Sequence, residues 1–120
     1  LELALNCDLV IASDDARFKL PEAQLGLPGT GGIHALLPRL AGLSRAKALL
    51  WLGHEFTAEQ ALQWGLLWRV VPREALEREV SACAQELLAA DPKALGRVKA
   101  LLHQSILPQF NATLDQESAS

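Results

Sequence analysis

The sequence predicts a helix-dominated α/β chain folded as a single domain, and three observations carry that expectation. Half of the 120 residues are hydrophobic, with no tyrosine and no methionine. Leucine, alanine and valine must therefore supply most of the packing, a composition that favours helices. Apolar residues recur at helical spacing over long stretches, while β-branched or alternating runs are short and bounded by turn formers. A compact domain of this length buries roughly two-thirds of the surface that its unfolded chain exposes, so a real core is within reach.

Taken in order, Leu1, Leu3, Ala4, Leu5 and Cys7 read as the tail of a buried helix that ends near Asp8. Leu9, Val10, Ile11 and Ala12 form a short apolar run closed by Ser13, Asp14 and Asp15, the pattern of a buried strand and its turn. Residues 17–20 alternate polar and apolar and predict a second short strand before Pro21. Ile33, Leu36, Leu37 and Leu40 define a helix that Gly42 stops, with Pro38 implying a kink or break inside it. Ser44 is the expected cap of the next helix, residues 45–52, and Gly53 its end. Thr57-Ala-Glu-Gln60 is a capping-box pattern opening a short helix that finishes at Gly65. Residues 66–71 read as one strand before Pro72.

Over residues 73–90, Leu76, Val80, Cys83, Ala84, Leu87 and Leu88 share one helical face, and acidic residues with Arg78 occupy the other. Asp91 with Pro92 then opens a helix running to about Ile106, which Pro108 terminates. From Asn111 a further helix is expected, still under way at Ser120. With an apolar start at Leu1 as well, the sequence reads as part of a longer chain. No repeat, linker or low-complexity tract interrupts it.

Charge and cysteine content narrow the function classes. A formal net charge of −3, mixed in sign along the chain, offers no footprint for nucleic acid or an anionic membrane. Cys7 and Cys83 lack paired or metal-like spacing and are expected as two buried free thiols in a reducing compartment. No run approaches the ~20 apolar residues of a membrane span, and no signal-peptide pattern stands at the start, so a soluble, cytoplasmic protein is expected. Asn111-Ala-Thr113 matches a glycosylation sequon by chance on that reading. His34, His54 and His103 have no metal-ligand spacing and read as surface or capping groups. Trp51, Trp64 and Trp68 read as core or interface anchors, and Arg39 as a structural salt bridge or cap.

Chemistry concentrates between Pro21 and Gly32, in PEAQLGLPGTGG. Glu22 precedes a glycine-rich turn that opens a helix. A carboxylate moves protons, and bare N–H groups in such a turn approach a ligand or a held water. Gly31 and Gly32 serve equally well to let the helix pack closely. Glu2 lies 20 residues upstream in an apolar segment, and spacing alone leaves open whether the two carboxylates meet.

The segments Glu2-Leu-Ala-Leu-Asn-Cys-Asp-Leu-Val-Ile-Ala-Ser13, Ala16-Arg-Phe18, Pro21-Glu22, Leu25-Gly26-Leu27, Pro28-Gly29-Thr-Gly31-Gly32 and Leu37-Pro-Arg39-Leu40 together resemble the enoyl-CoA hydratase/isomerase family, the crotonases. The resemblance continues through Thr57-Ala-Glu-Gln-Ala61, Trp64-Gly65-Leu66 and Arg69-Val70-Val71-Pro72, and covers most of residues 1–108. It implies a crotonase-like α/β fold of ββα units. Residues 1–120 would form its helix-rich C-terminal part, without the N-terminal half and the C-terminal trimerisation helices.

The resemblance also implies acyl thioesters of coenzyme A as substrates in fatty-acid or related metabolism. Coenzyme A is then part of the substrate, and no separate cofactor or metal is expected. Assembly would be as trimers or hexamers. Family chemistry stabilises a thioester enolate in an oxyanion hole of two backbone N–H groups. In the hydratases two glutamates hold a water and add it across the 2,3 double bond.

By this resemblance Glu2 matches the first glutamate, in the G-G-G-x-E-L-A pattern, and Glu22 the second, in P-E. Gly29 supplies the water-holding N–H. Hydration needs a base and an acid at one pH, so one carboxyl must stay protonated well above the ordinary value of about 4.3. Glu2 is the expected water activator and Glu22 the proton donor. Retention of both favours a hydratase, with an isomerase or a non-catalytic crotonase-fold fragment as alternatives. Two departures stand out: Glu22 and Gly29 are seven residues apart where eight is usual, and the glycine triplet bearing oxyanion donors would precede Leu1. The 120 residues alone are therefore expected to be inactive.

Overall fold

In the computed structural model, residues 1–119 are described, and Ser120 lies outside the described residues. The chain begins with α1 (Glu2–Leu5), followed by β1 (Ile11–Ser13) and β2 (Arg17–Phe18). A 3-10 turn (Glu22–Leu25) and the glycine segment lead to α2 (Ile33–Ala41) and α3 (Leu43–Leu52). After these come β3 (Phe56–Thr57), α4 (Ala58–Gln63) and β4 (Arg69–Val71). Three helices complete it: α5 (Leu76–Leu88), α6 (Pro92–Ile106) and α7 (Phe110–Ala119).

The strands form two small pairs. β1 runs parallel to β4, with Ile11 opposite Arg69 and Ser13 opposite Val71. Parallel pairing requires a long crossover, which the α2–α4 region supplies. β2 pairs antiparallel with β3, setting Phe18 opposite Phe56. The Phe56 ring lies 5.6 Å from that of Phe18 and 5.4 Å from that of Trp64, and so ties the strand pair to α4.

Between these pairs and the helices lies one core. Ile33 and Leu37, one turn apart on α2, are completely buried, and α3 meets them through Ala46 and Leu49. On α4 the buried residues are Ala58 and Ala61, small enough to let the helix lie close. Its start is fixed locally by the expected capping box. Thr57 Oγ1 accepts the Gln60 N–H at 3.1 Å, and Gln60 Oε1 accepts the Thr57 N–H at 2.9 Å.

Several local expectations are corrected. α2 runs unbroken across Pro38, and α3 begins at Leu43 with Gly42 as its N-cap, without a cap bond from Ser44. The strand over 66–71 shrinks to Arg69–Val71, because Leu66 N–H is taken by the Ala61 carbonyl at the end of α4. The helix over 73–90 opens with a 3-10 turn, Arg73–Ala75, before α5.

The two thiols are free but not buried: Cys7 is exposed and Cys83 half-buried. Cys7 follows a four-residue helix whose one buried residue is Leu5, and α5 buries none of its residues. Trp51 and Trp68 are likewise exposed, and only Trp64 packs against the core. The expected caps of α6 hold, with Asp91 accepting the Lys93 N–H at 3.1 Å and Pro92 in the first turn.

Candidate active site

Glu2 and Glu22 each open a short helical element, α1 and the 3-10 turn after Pro21. That turn is closed by Gly26 in the left-handed conformation, φ 75°, and by the Leu27 N–H on the Glu22 carbonyl at 2.8 Å. The chain then passes through residues 28–32 and packs directly on Glu2. Thr30 donates its hydroxyl to Glu2 Oε2 at 2.7 Å. Asn6 Nδ2 donates to the Glu2 carbonyl at 2.9 Å and to the Gly31 carbonyl at 2.8 Å, joining the end of α1 to the glycine turn.

Glu2 and Glu22 are thereby brought together. Each keeps one buried oxygen, Glu2 Oε1 and Glu22 Oε2, without a hydrogen-bond partner. Buried polar atoms are nearly always paired, so an unmatched acceptor on each of two interacting carboxyls marks a place for a hydrogen-donating guest such as water. Burial pushes the Glu22 carboxyl above its ordinary range; its own backbone N–H offsets part of the rise, and neighbouring Glu2 adds to it.

Glu22 also lines a cavity of about 270 Å³ together with Gly29, His34, Leu27, Leu50 and Trp51. Gly29 is buried, and a Cβ built there would collide with the Ile33 side chain, so only glycine brings the backbone this close. Glu22 and Gly29 thus share one cavity in spite of the shortened turn. A larger hollow of about 620 Å³, between Gly42 and Trp64, holds a single carboxylate, Glu55, which faces Arg17 at 4.0 Å. It carries no carboxylate pair.

Four residues of this region escaped the sequence reading as site components: Asn6, Thr30, His34 and Glu117. Thr30 sits inside the glycine turn, where a hydroxyl is a detectable signal. Glu117, on α7, gives none. Its carboxylate meets the Gly32 N–H at 2.8 Å, the His34 N–H at 3.1 Å and the His34 Nδ1 at 2.6 Å. Those amides are among the unpaired donors of the first turn of α2, and Glu117 caps them from across the fold. Arg39 acts as a cap, donating to the carbonyl of Ile106 at the end of α6 and to that of Ala35 at 2.8 Å. Among the described residues no group of three or more His, Cys, Asp or Glu is placed to hold a metal ion.

The sequence profile described as enoyl-CoA hydratase/isomerase matches residues 1–120. The chain belongs to the enoyl-CoA hydratase/isomerase family. It is 39% identical over 116 residues to the 1,2-epoxyphenylacetyl-CoA isomerase of Escherichia coli, covering 96% of this chain and 44% of that protein. The 2,3-dehydroadipyl-CoA hydratase of the same organism is 40% identical over 117 residues, 97% of this chain and 46% of that one. Among solved structures, an enoyl-CoA hydratase from Mycobacterium avium subsp. paratuberculosis superposes with a TM-score of 0.94 at 32% identity, over 98% of this chain and 48% of that one. The chain thus spans less than half the length of these hydratase and isomerase relatives. Its fold is the crotonase-like one expected from sequence, in a helix-rich part.

Proposed function

We propose that this chain supplies the paired carboxylates of an enoyl-CoA hydratase, which adds water across the 2,3 double bond of a 2-enoyl-CoA thioester. The observation that carries this reading is the contact of Glu2 and Glu22 with one orphaned oxygen on each. A water placed between them donates to both. Glu2, already holding the Thr30 hydroxyl on one oxygen, takes the water proton as hydroxide equivalent reaches the β-carbon. Glu22, pushed toward its protonated form, delivers a proton to the α-carbon. The Gly29 N–H helps to hold the water, and an oxyanion hole from residues preceding Glu2 in the family pattern stabilises the enolate.

The same reading assigns coenzyme A to the substrate rather than to a bound cofactor. It also assigns the protein to the cytoplasm and to a trimer or hexamer. Supporting these are the family membership, the absence among described residues of a helix long and apolar enough to cross a membrane, and the exposed apolar side chains of α6.

In the protein joined to its oxyanion-bearing segment, Glu22→Gln and Glu2→Gln should each lower crotonyl-CoA hydration by about 10²–10⁴-fold. Near-normal hydration in either variant sinks the two-carboxylate mechanism. A 3-enoyl-CoA assay run in parallel decides the isomerase alternative, which the E. coli isomerase relative keeps in view. Double-bond migration that outpaces hydration would favour it.

A further inference from the structure

His34 is held from one side and open on the other. Its Nδ1 lies 2.6 Å from Glu117 Oε1, and the Glu117 carboxylate, only 5% exposed, otherwise meets the Gly32 and His34 amides. Burial pushes the Glu117 carboxyl up, but those two N–H groups and the imidazole outweigh it and hold it below the ordinary range. An ionised carboxylate accepts and cannot donate, so the proton in this contact belongs to Nδ1. In a neutral imidazole the other nitrogen then carries a lone pair.

That other edge faces the cavity. A Cβ built on Gly29 would lie 3.6 Å from His34 Cε1 and 3.7 Å from Nε2, and His34 lines the cavity with Glu22 and Trp51. No described residue hydrogen-bonds Nε2.

We propose that Glu117 is a positioning residue that locks His34 in its Nδ1–H tautomer, so that Nε2 accepts a hydrogen bond from a hydroxyl group in the Glu22 cavity. The hydroxyl is that of the water or of the 3-hydroxyacyl product, and in this last element the proposal rests on the hydratase reading. Glu117 does more than cap α2: through one carboxylate it sets the helix start and the hydrogen-bonding sense of a side chain that faces Glu22. An oriented carboxylate fixes the tautomer of a histidine in the same way wherever the two are in hydrogen-bond contact.

The test is ¹⁵N NMR of histidine-labelled protein near pH 8, above the ordinary histidine value of about 6.5, with His34→Gln to assign the resonances. The expected spectrum has Nδ1 protonated and Nε2 unprotonated. Glu117 Oε1 accepts from both the His34 N–H and Nδ1, so Glu117→Ala, which removes that acceptor altogether, is the informative variant: Nδ1 should no longer be held protonated. Adding 3-hydroxybutyryl-CoA should shift Nε2 in the parent protein and lose that effect in Glu117→Ala.

An Nε2–H tautomer in the parent, or an Nδ1–H tautomer held unchanged in a folded Glu117→Ala, overturns the lock. If that variant fails to fold, the parent spectrum alone still decides. An Nε2 resonance indifferent to 3-hydroxybutyryl-CoA overturns the hydroxyl contact. The tautomer needs no turnover to be read, so a protein that fails to hydrate crotonyl-CoA would refute the proposed function and leave the lock standing.

Discussion

On α2, Ile33 and Leu37 are 0% exposed; on α6, Val98 and Leu101, at comparable helical spacing, are 54% and 56% exposed. Both helices carry an apolar stripe, and only α2 has something to lay it against. From α1 to β4 the elements enclose the core cluster, whereas α5 and α6 contribute no buried residue. Periodicity declares which face of a helix is apolar and says nothing of where its partner is. The carboxylate pair belongs to the first region, and the second projects apolar area that the described residues leave uncovered.

The strongest way to break this comparison is to truncate one leucine in each region. Leu37→Ala should cost about 2–5 kcal/mol by opening a cavity among fully buried side chains. Leu101→Ala should stay within about 0.5 kcal/mol, as exposed positions do. Denaturant titration of the two variants measures both, and equal losses would show that α6 is buried in solution.

A smaller contrast comes from the caps. Thr57→Ala should lower global stability by about 1 kcal/mol because α4 belongs to the core. Asp91→Ala removes an equivalent bond to Lys93 N–H, but it should fray α6 locally, reducing helicity by circular dichroism without moving the unfolding midpoint. A midpoint that falls equally would mean the two regions unfold as one.

The third effect is more modest and has a definite sign. Folding raises the pKa of Glu22, so its contribution to stability is fully present below the unfolded value of about 4.3 and is lost as pH rises through the higher folded value. At pH 7 Glu22→Gln should therefore raise the melting temperature while suppressing hydration, and the gain should vanish by about pH 4. Stability traded against function in this way is expected where a site holds a carboxyl against its preference. A melting temperature that is unchanged or lowered at pH 7 would refute the pKa shift.

What the sequence disclosed was mostly what is local. The Thr57–Gln60 box and the Asp91–Pro92 start lie within a few residues of the bonds they make, and both are found as expected. The motif order around Glu2, Glu22 and Gly29 was legible because the family pattern spans it, and the chain brings Glu2 to Glu22 and lines one cavity with Glu22 and Gly29. Burial was not legible. Cys7 follows apolar neighbours, yet it faces solvent, since exposure depends on what α1 packs against rather than on its own composition. Nor was Glu117: a carboxylate in a polar helix carries no mark of a partner 83 residues away.

That separation also sets a schedule. During synthesis the glycine turn and α2 leave the ribosome long before residue 117, with their leading amides unmatched by the acceptor that later closes them. The last described helix therefore acts as a late clasp. The start of α2, with His34, receives its carboxylate acceptor only when α7 has folded back onto it.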